Sequence, residues 1–166
     1  RTTTTAMVAY ALRELGNDPS WIVGGVVPQL GGNAGVGEGW LVVEGDESDR
    51  SVFELRPEIA AGTNIELDHH AAYGSEAELA GLFEDWLASA SMAVRGWELE
   101  PSALELRVPG EHNLRNAATA LAVLDAAGAD RDAAAQALGA FTGVGRRFSR
   151  IHLIESTTLL LPLPFG

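Results

Sequence analysis

The chain has 166 residues, 11 of them basic and 23 acidic, for a formal charge of −12, which is long enough for one domain with its own core. Binding a nucleic acid draws on counterion release at clustered cations, and so few cations set nucleic acid aside as a main partner. No cysteine is present, so these residues form neither disulfides nor thiolate metal sites. No apolar run reaches the length of a membrane span and residues 1–20 lack a signal-peptide core, so no membrane partner is expected and the expected compartment is the cytosol.

Residues 2–15, TTTTAMVAYALREL, place Met7, Val8, Ala11, Leu12 and Leu15 at helical spacing, and Gly16-Asn17 stops that helix. Trp21-Ile22-Val23 reads as a short strand, and the glycine-rich segment 24–39 as a loop. Trp40-Leu41-Val42-Val43 is a continuous apolar run, the mark of a strand buried on both faces, and residues 57–63 form a weaker run of that kind. Ser75-Glu76-Ala77-Glu78 is a capping box, opening a helix that buries Leu79, Leu82, Phe83, Trp86 and Leu87. Leu104, Leu106 and Val108 alternate with Glu105 and Arg107, which predicts a strand over 103–108 with one exposed face. Pro109-Gly110 turns the chain, residues 113–127 form an alanine-rich helix ending at Gly128, and Asp130 caps a helix running to about Phe141. Strands alternating with helices imply an α/β fold with a mainly parallel sheet flanked by helices. Residues 149–166 have no clear place in that alternation and read either as one more strand or as a tail.

In open parallel sheets, ligands bind beyond the carboxyl ends of the strands. By that rule three segments can converge. The strand WLVV ends in Glu44 within EGDESD, the strand IAAGT ends in Asn64 within NIELDHH, and the first helix opens at the threonine run, whose free backbone N–H groups favour an anion. A threonine hydroxyl, a carboxylate and an imidazole suit Mg²⁺ when phosphate oxygens complete its shell. Each segment also has a plainer reading: a helix N-cap, a solvated acidic turn, a capped loop. Their occurrence in chain order at consecutive strand ends favours the shared site.

TTTTAM, EGDESDRS, RPEIAAGTNIELDHH, VPGEHNLRNAATALAV and GVGRRF resemble the central ATP-binding domain of the Mur ligases, over about residues 1–148. DESD and NIELDHH are similar to the branch that joins L-alanine to UDP-N-acetylmuramate, and they argue against folate polyglutamate ligase, which shares the general plan. The resemblance implies a P-loop NTPase-like fold. It also implies ATP-dependent ligation through an acyl phosphate, in peptidoglycan precursor synthesis, with ATP and Mg²⁺ as cofactors.

Motif by motif, the resemblance implies that Thr2, with Thr3 beside it, binds the nucleotide, Thr2 through its hydroxyl on the ATP metal. Glu44 holds a metal and His69 a second one. Asn64 helps position phosphates, His112, Asn113 and Asn116 contact adenine, and Arg147 reaches nucleotide phosphate or ribose. His70 is expected not to share the role of His69, because consecutive residues of an extended segment face opposite sides.

The sequence also departs from the family. Arg1 stands where the P-loop lysine is expected, the stretch between Phe83 and Val108 is shorter, and residues 149–166 diverge. The upstream strand and glycine loop, the nucleotide-sugar domain and the amino-acid-binding domain are expected to be missing. The chain is therefore expected to be a truncated central domain, and an inactive Mur-ligase-like module is the alternative.

Overall fold

The computed structural model describes residues 1–46, 50–64, 73–145 and 158–162. The threonine-led helix forms as the periodicity predicts: α1 spans Thr2–Glu14, and every residue from Thr4 to Leu12 is buried. Its small residues Ala6, Ala9 and Ala11, all fully buried, let neighbours approach closely. α1 packs against α3 (Glu111–Ala126), α4 (Arg131–Ala140) and the strands β1 (Ser20–Val27) and β3 (Trp40–Glu44). Gly16, after the helix, takes φ +77, a left-handed conformation that costs little without a Cβ.

Six strands form one sheet among the described residues, in the order β2-β1-β3-β6-β4-β5. The remaining strands are β2 (Gly32–Gly35), β4 (Ile59–Gly62), β5 (Met92–Arg95) and β6 (Thr158–Pro162). β1 runs parallel to β3, and β4 parallel to β5. β6 lies between β3 and β4, antiparallel to both, so β1, β3, β4 and β5 all point the same way. β2 is antiparallel to β1 at the edge.

Helices cover both faces. One core cluster joins α1, α3 and α4 to the sheet through Met7, Val8, Leu12, Val42, Ile59, Leu124 and Phe141. A second, around Phe83, Trp86 and Leu87, places α2 (Glu76–Ser89) on the other face. Ser75 caps α2, its hydroxyl accepting from the Glu78 N–H at 3.1 Å. The Glu78 carboxylate accepts from the Gly74 N–H at 2.8 Å, one residue before the partner a standard capping box uses. That backbone bond, followed by Arg50 at 2.9 Å, holds the Glu78 carboxyl below its usual range. Asp130 caps α4 as expected, accepting from the Ala133 N–H at 2.9 Å.

Three expectations change. The glycine-rich segment 24–39 is not a loop throughout: β1 continues to Val27, a 3-10 turn spans Pro28–Leu30, and β2 follows. Glycine weakens a strand without forbidding one, and here pairing with β1 holds Gly32–Gly35 in place. Second, residues 103–108 join no ladder. Leu104, Leu106 and Val108 are half-buried against the first cluster while Glu105 and Arg107 are exposed. The alternation thus reports one-sided burial correctly, but the segment lies over α4, with Gly139 against the Glu105 carbonyl, instead of along a strand. Third, β5 was not foreseen, and the open question about the last residues resolves, for Thr158–Pro162, as a strand inside the sheet.

Candidate nucleotide site at the strand ends

Glu44 closes β3, and its carboxylate is the hub of the site. Oε1 accepts from Arg1 Nε and from the Thr2 hydroxyl, both at 2.8 Å. Oε2 accepts from the Gly24 N–H at 2.5 Å. The side chains of Arg1 and Glu44 are only 10% and 6% exposed. Arg1 also donates to the Gly45 carbonyl at 2.9 Å and lies 3.6 Å from Asp46. The first turn of α1 and the end of β3 are therefore locked together by a largely desolvated, charge-assisted set of hydrogen bonds. Thr2 and Glu44, predicted as metal ligands from different segments, are brought into direct contact.

A second network ties α1 to α3. The Thr4 hydroxyl donates to Asn116 Oδ1 at 3.1 Å, Asn116 Nδ2 donates to Asn113 Oδ1 at 3.3 Å, and Asn113 Nδ2 donates to the Pro109 carbonyl at 2.7 Å. Gly110 caps α3 with φ +106, and a Cβ there would meet His112 Cε1 at 2.6 Å. Glycine at this turn thus leaves room for the His112 imidazole in the first turn of the helix.

Between these networks lies a cavity of about 380 Å³, lined by Arg1, Thr63, Asn64, Gly96, Trp97, His112, Arg115 and Asn116. Its size suits a small-molecule ligand. It unites Asn64, from a strand end, with His112 and Asn116 of α3. Asn113 is buried and does not line it, and Thr3 is half-buried outside it. His69, its neighbour His70 and Arg147 lie outside the described residues. Sequence reasoning missed Trp97, Arg115 and Thr63 as lining residues. Only recognition of β5 could have placed Trp97 at the strand ends.

The hydroxyl of Thr2 and the carboxylate of Glu44 are adjacent hard oxygen donors, a pair that fits Mg²⁺. The Arg1 guanidinium occupies one oxygen of that carboxylate, so a cation there has to share it or displace Arg1. Among the described residues no group of three or more His, Asp or Glu side chains is arranged around one point, and no helix is long and apolar enough to cross a membrane.

No family model matches the chain. It is 37% identical, over 199 aligned residues, to UDP-N-acetylmuramate–L-alanine ligase from Renibacterium salmoninarum, covering 89% of this chain and 43% of that protein. It is 36% identical to the ligase of the same name from Paenarthrobacter aurescens, with the same coverage. A solved UDP-N-acetylmuramate–alanine ligase from Thermotoga maritima superposes with a TM-score of 0.79 at 31% identity, over 92% of this chain and 45% of that one. The UDP-N-acetylmuramate:L-alanyl-γ-D-glutamyl-meso-diaminopimelate ligase of Neisseria meningitides shares the fold at a TM-score of 0.75 and 22% identity, over 88% of this chain and 64% of that one.

Strand-end cavity, helix-flanked sheet and aligned relatives agree: the chain belongs to the Mur ligase family. The curated relatives it matches are UDP-N-acetylmuramate–L-alanine ligases, and it spans under half of their length.

Proposed function

We propose that residues 1–148 are the central ATP-binding domain of an enzyme that ligates L-alanine to UDP-N-acetylmuramate in the cytoplasm, with ATP and Mg²⁺. The boundary at 148 rests on resemblance, since β6, beyond it, lies within the sheet. The observation that carries the reading is the direct contact of Thr2 with Glu44 at 2.8 Å, beside a cavity that gathers Asn64, His112 and Asn116.

When bound, Mg²⁺ would neutralise phosphate charge and orient the nucleotide, and Thr2 and Glu44 are the described residues that would hold it, with His69 proposed to hold a second ion. The chain's own groups supply orientation. Gly24 and Arg1 aim the Glu44 carboxylate, and Arg1 and Arg115 present cations to phosphate oxygens. Asn64 positions phosphate, Asn116 and His112 face the base, and Asn113 fixes the Asn116 amide. Arg147 is proposed to reach phosphate or ribose. Carboxylate activation as an acyl phosphate, followed by attack of the amine, is the reaction such an arrangement would serve.

One observation favours the inactive alternative: Arg1 already satisfies the carboxylate that the metal would need. Calorimetric titration of the 166-residue chain with ATP, with and without Mg²⁺, separates the two readings. Saturable, Mg²⁺-dependent binding is expected. Absence of binding at millimolar nucleotide would sink the ATP-domain reading.

A further inference from the structure

The cavity has one wall to which the roles above assign nothing. Gly96 opens the 3-10 turn after β5 and is buried. A Cβ at Gly96 would lie 2.5 Å from Thr119 Oγ1 and 2.8 Å from the Gly62 carbonyl oxygen. Only a residue without a side chain lets the turn pass this close to the end of β4 and the middle of α3. The next residue, Trp97, is consequently laid over the end of β4. A Cβ on Gly62 would overlap its six-membered ring. The indole also packs against the second core cluster, so two sides of it are held, while it still lines the cavity.

Thr63 follows Gly62 and lines the same cavity. Its hydroxyl oxygen is buried and has no hydrogen-bond partner among the described residues. A hydroxyl removed from water without a partner is unfavourable, and a ligand in the cavity can supply one. The other such atom, Trp21 Nε1, belongs to a residue that does not line the cavity.

An immobilised aromatic surface beside an unpaired hydroxyl is poor ground for a phosphate and good ground for a flat heterocycle with polar edges. The cavity's two guanidiniums, Arg1 and Arg115, suit the phosphates instead. We propose that Trp97 and Thr63 determine recognition of the nucleotide's base: the planar ring lies against the Trp97 indole, and the Thr63 hydroxyl hydrogen-bonds its edge. This rests on the adenine-nucleotide reading of the site and adds to it two base-binding residues. A hydroxyl can donate or accept, so Thr63 strengthens base binding without choosing among bases.

Calorimetric affinities of the full chain for ATP and for tripolyphosphate, each with Mg²⁺, test the assignment in the parent and in Trp97→Leu, Trp97→Phe and Thr63→Val. Base–aromatic stacking is worth about ten-fold or more in affinity. Trp97→Leu is expected to weaken ATP by about that factor, and Trp97→Phe, which keeps an aromatic plane, to recover most of it. Thr63→Val is expected to weaken ATP by a smaller factor, and tripolyphosphate binding is expected to change in none of them. ATP should also quench indole fluorescence in the parent and lose most of that quench in Trp97→Phe, a readout that survives if Trp97→Leu misfolds. Unchanged ATP affinity in Trp97→Leu, equal losses for ATP and tripolyphosphate, or an unaltered quench in Trp97→Phe overturns the assignment while leaving the nucleotide site intact. A parent chain that binds neither ligand overturns the nucleotide reading itself, and this inference with it.

Discussion

Glu44→Ala is the substitution whose cost follows most directly from the geometry. It deletes the acceptor for Arg1 Nε, the Thr2 hydroxyl and the Gly24 N–H at once. Removing one partner of a buried ion pair costs about 3–5 kcal/mol, chiefly because the remaining charge stays desolvated. Arg1 keeps the Gly45 carbonyl and the nearby, half-exposed Asp46, so the lower end, about 3 kcal/mol, is expected. For a domain of this size each kcal/mol moves the melting temperature by about 2–4 °C, so Tm should fall by about 6–12 °C. Glu44→Gln is milder: its amide oxygen still accepts, but its NH₂ faces a donor, and about 2 kcal/mol is expected for losing a charge-assisted bond. Differential scanning calorimetry in dilute buffer reads both. Tm values for both variants within about 2 °C of the parent would mean that the pair is worth no more than an exposed salt bridge, about 0–1 kcal/mol, and the hub role of Glu44 would be wrong. Repeating the scan with ATP and Mg²⁺ adds a functional reading, since the stabilisation expected for the parent should vanish in Glu44→Gln.

Asn113→Ala strands the Pro109 carbonyl and releases the Asn116 amide, so a stability loss of about 1–3 kcal/mol is expected by urea unfolding. Gly110→Ala forces a Cβ onto φ +106 and against His112, and should lower Tm while weakening nucleotide binding; an unchanged Tm would refute the strain. Glu84 is held below its ordinary carboxyl range first by its hydrogen bonds to Arg95 and then by the Arg95 charge. A carboxylate whose folded pKa is depressed contributes stability in full above its unfolded value of about 4.3, and that contribution is lost as pH falls through the folded value. Arg95→Gln should therefore flatten the decline of Tm below about pH 4.5, without changing its shape near neutrality; an identical acid limb would refute the linkage. The 166-residue chain alone is expected to show no alanine-dependent ADP release from ATP and UDP-N-acetylmuramate, because ligation needs both reactants held in near-attack geometry; release detected by a coupled assay would overturn this.

Much of the scaffold was legible because its signals are local. The helices of residues 2–14, 76–89, 111–126 and 131–140 announce themselves by apolar spacing, by the caps at Ser75 and Asp130, and by glycines at Gly16 and Gly128, both at positive φ. Continuous apolar runs marked β3 and β4 as interior strands. The strand-end rule then expected Thr2, Glu44 and Asn64 in one region, because each sits at an element boundary that the sequence itself reveals, and the family resemblance added His112.

Tertiary structure alone decided how those boundaries meet. The bond from Thr2 to Glu44 spans 42 positions and that from Thr4 to Asn116 spans 112; no local pattern encodes which of several acids or amides lies opposite. Residues 103–108 show the same limit from the other side. Alternation records which side chains leave water, and says nothing about whether a strand edge is free to pair. β6 was unplaceable because its position between β3 and β4 depends on hydrogen bonds from two strands far earlier in the chain. The Trp97 wall exists only because two glycines, at 62 and 96, let two backbones pass within a side chain's width of each other. Periodicity and caps are properties of neighbouring residues, so the sequence carries them openly. Contacts between distant segments emerge only when the whole core closes, and in this protein those contacts build the site.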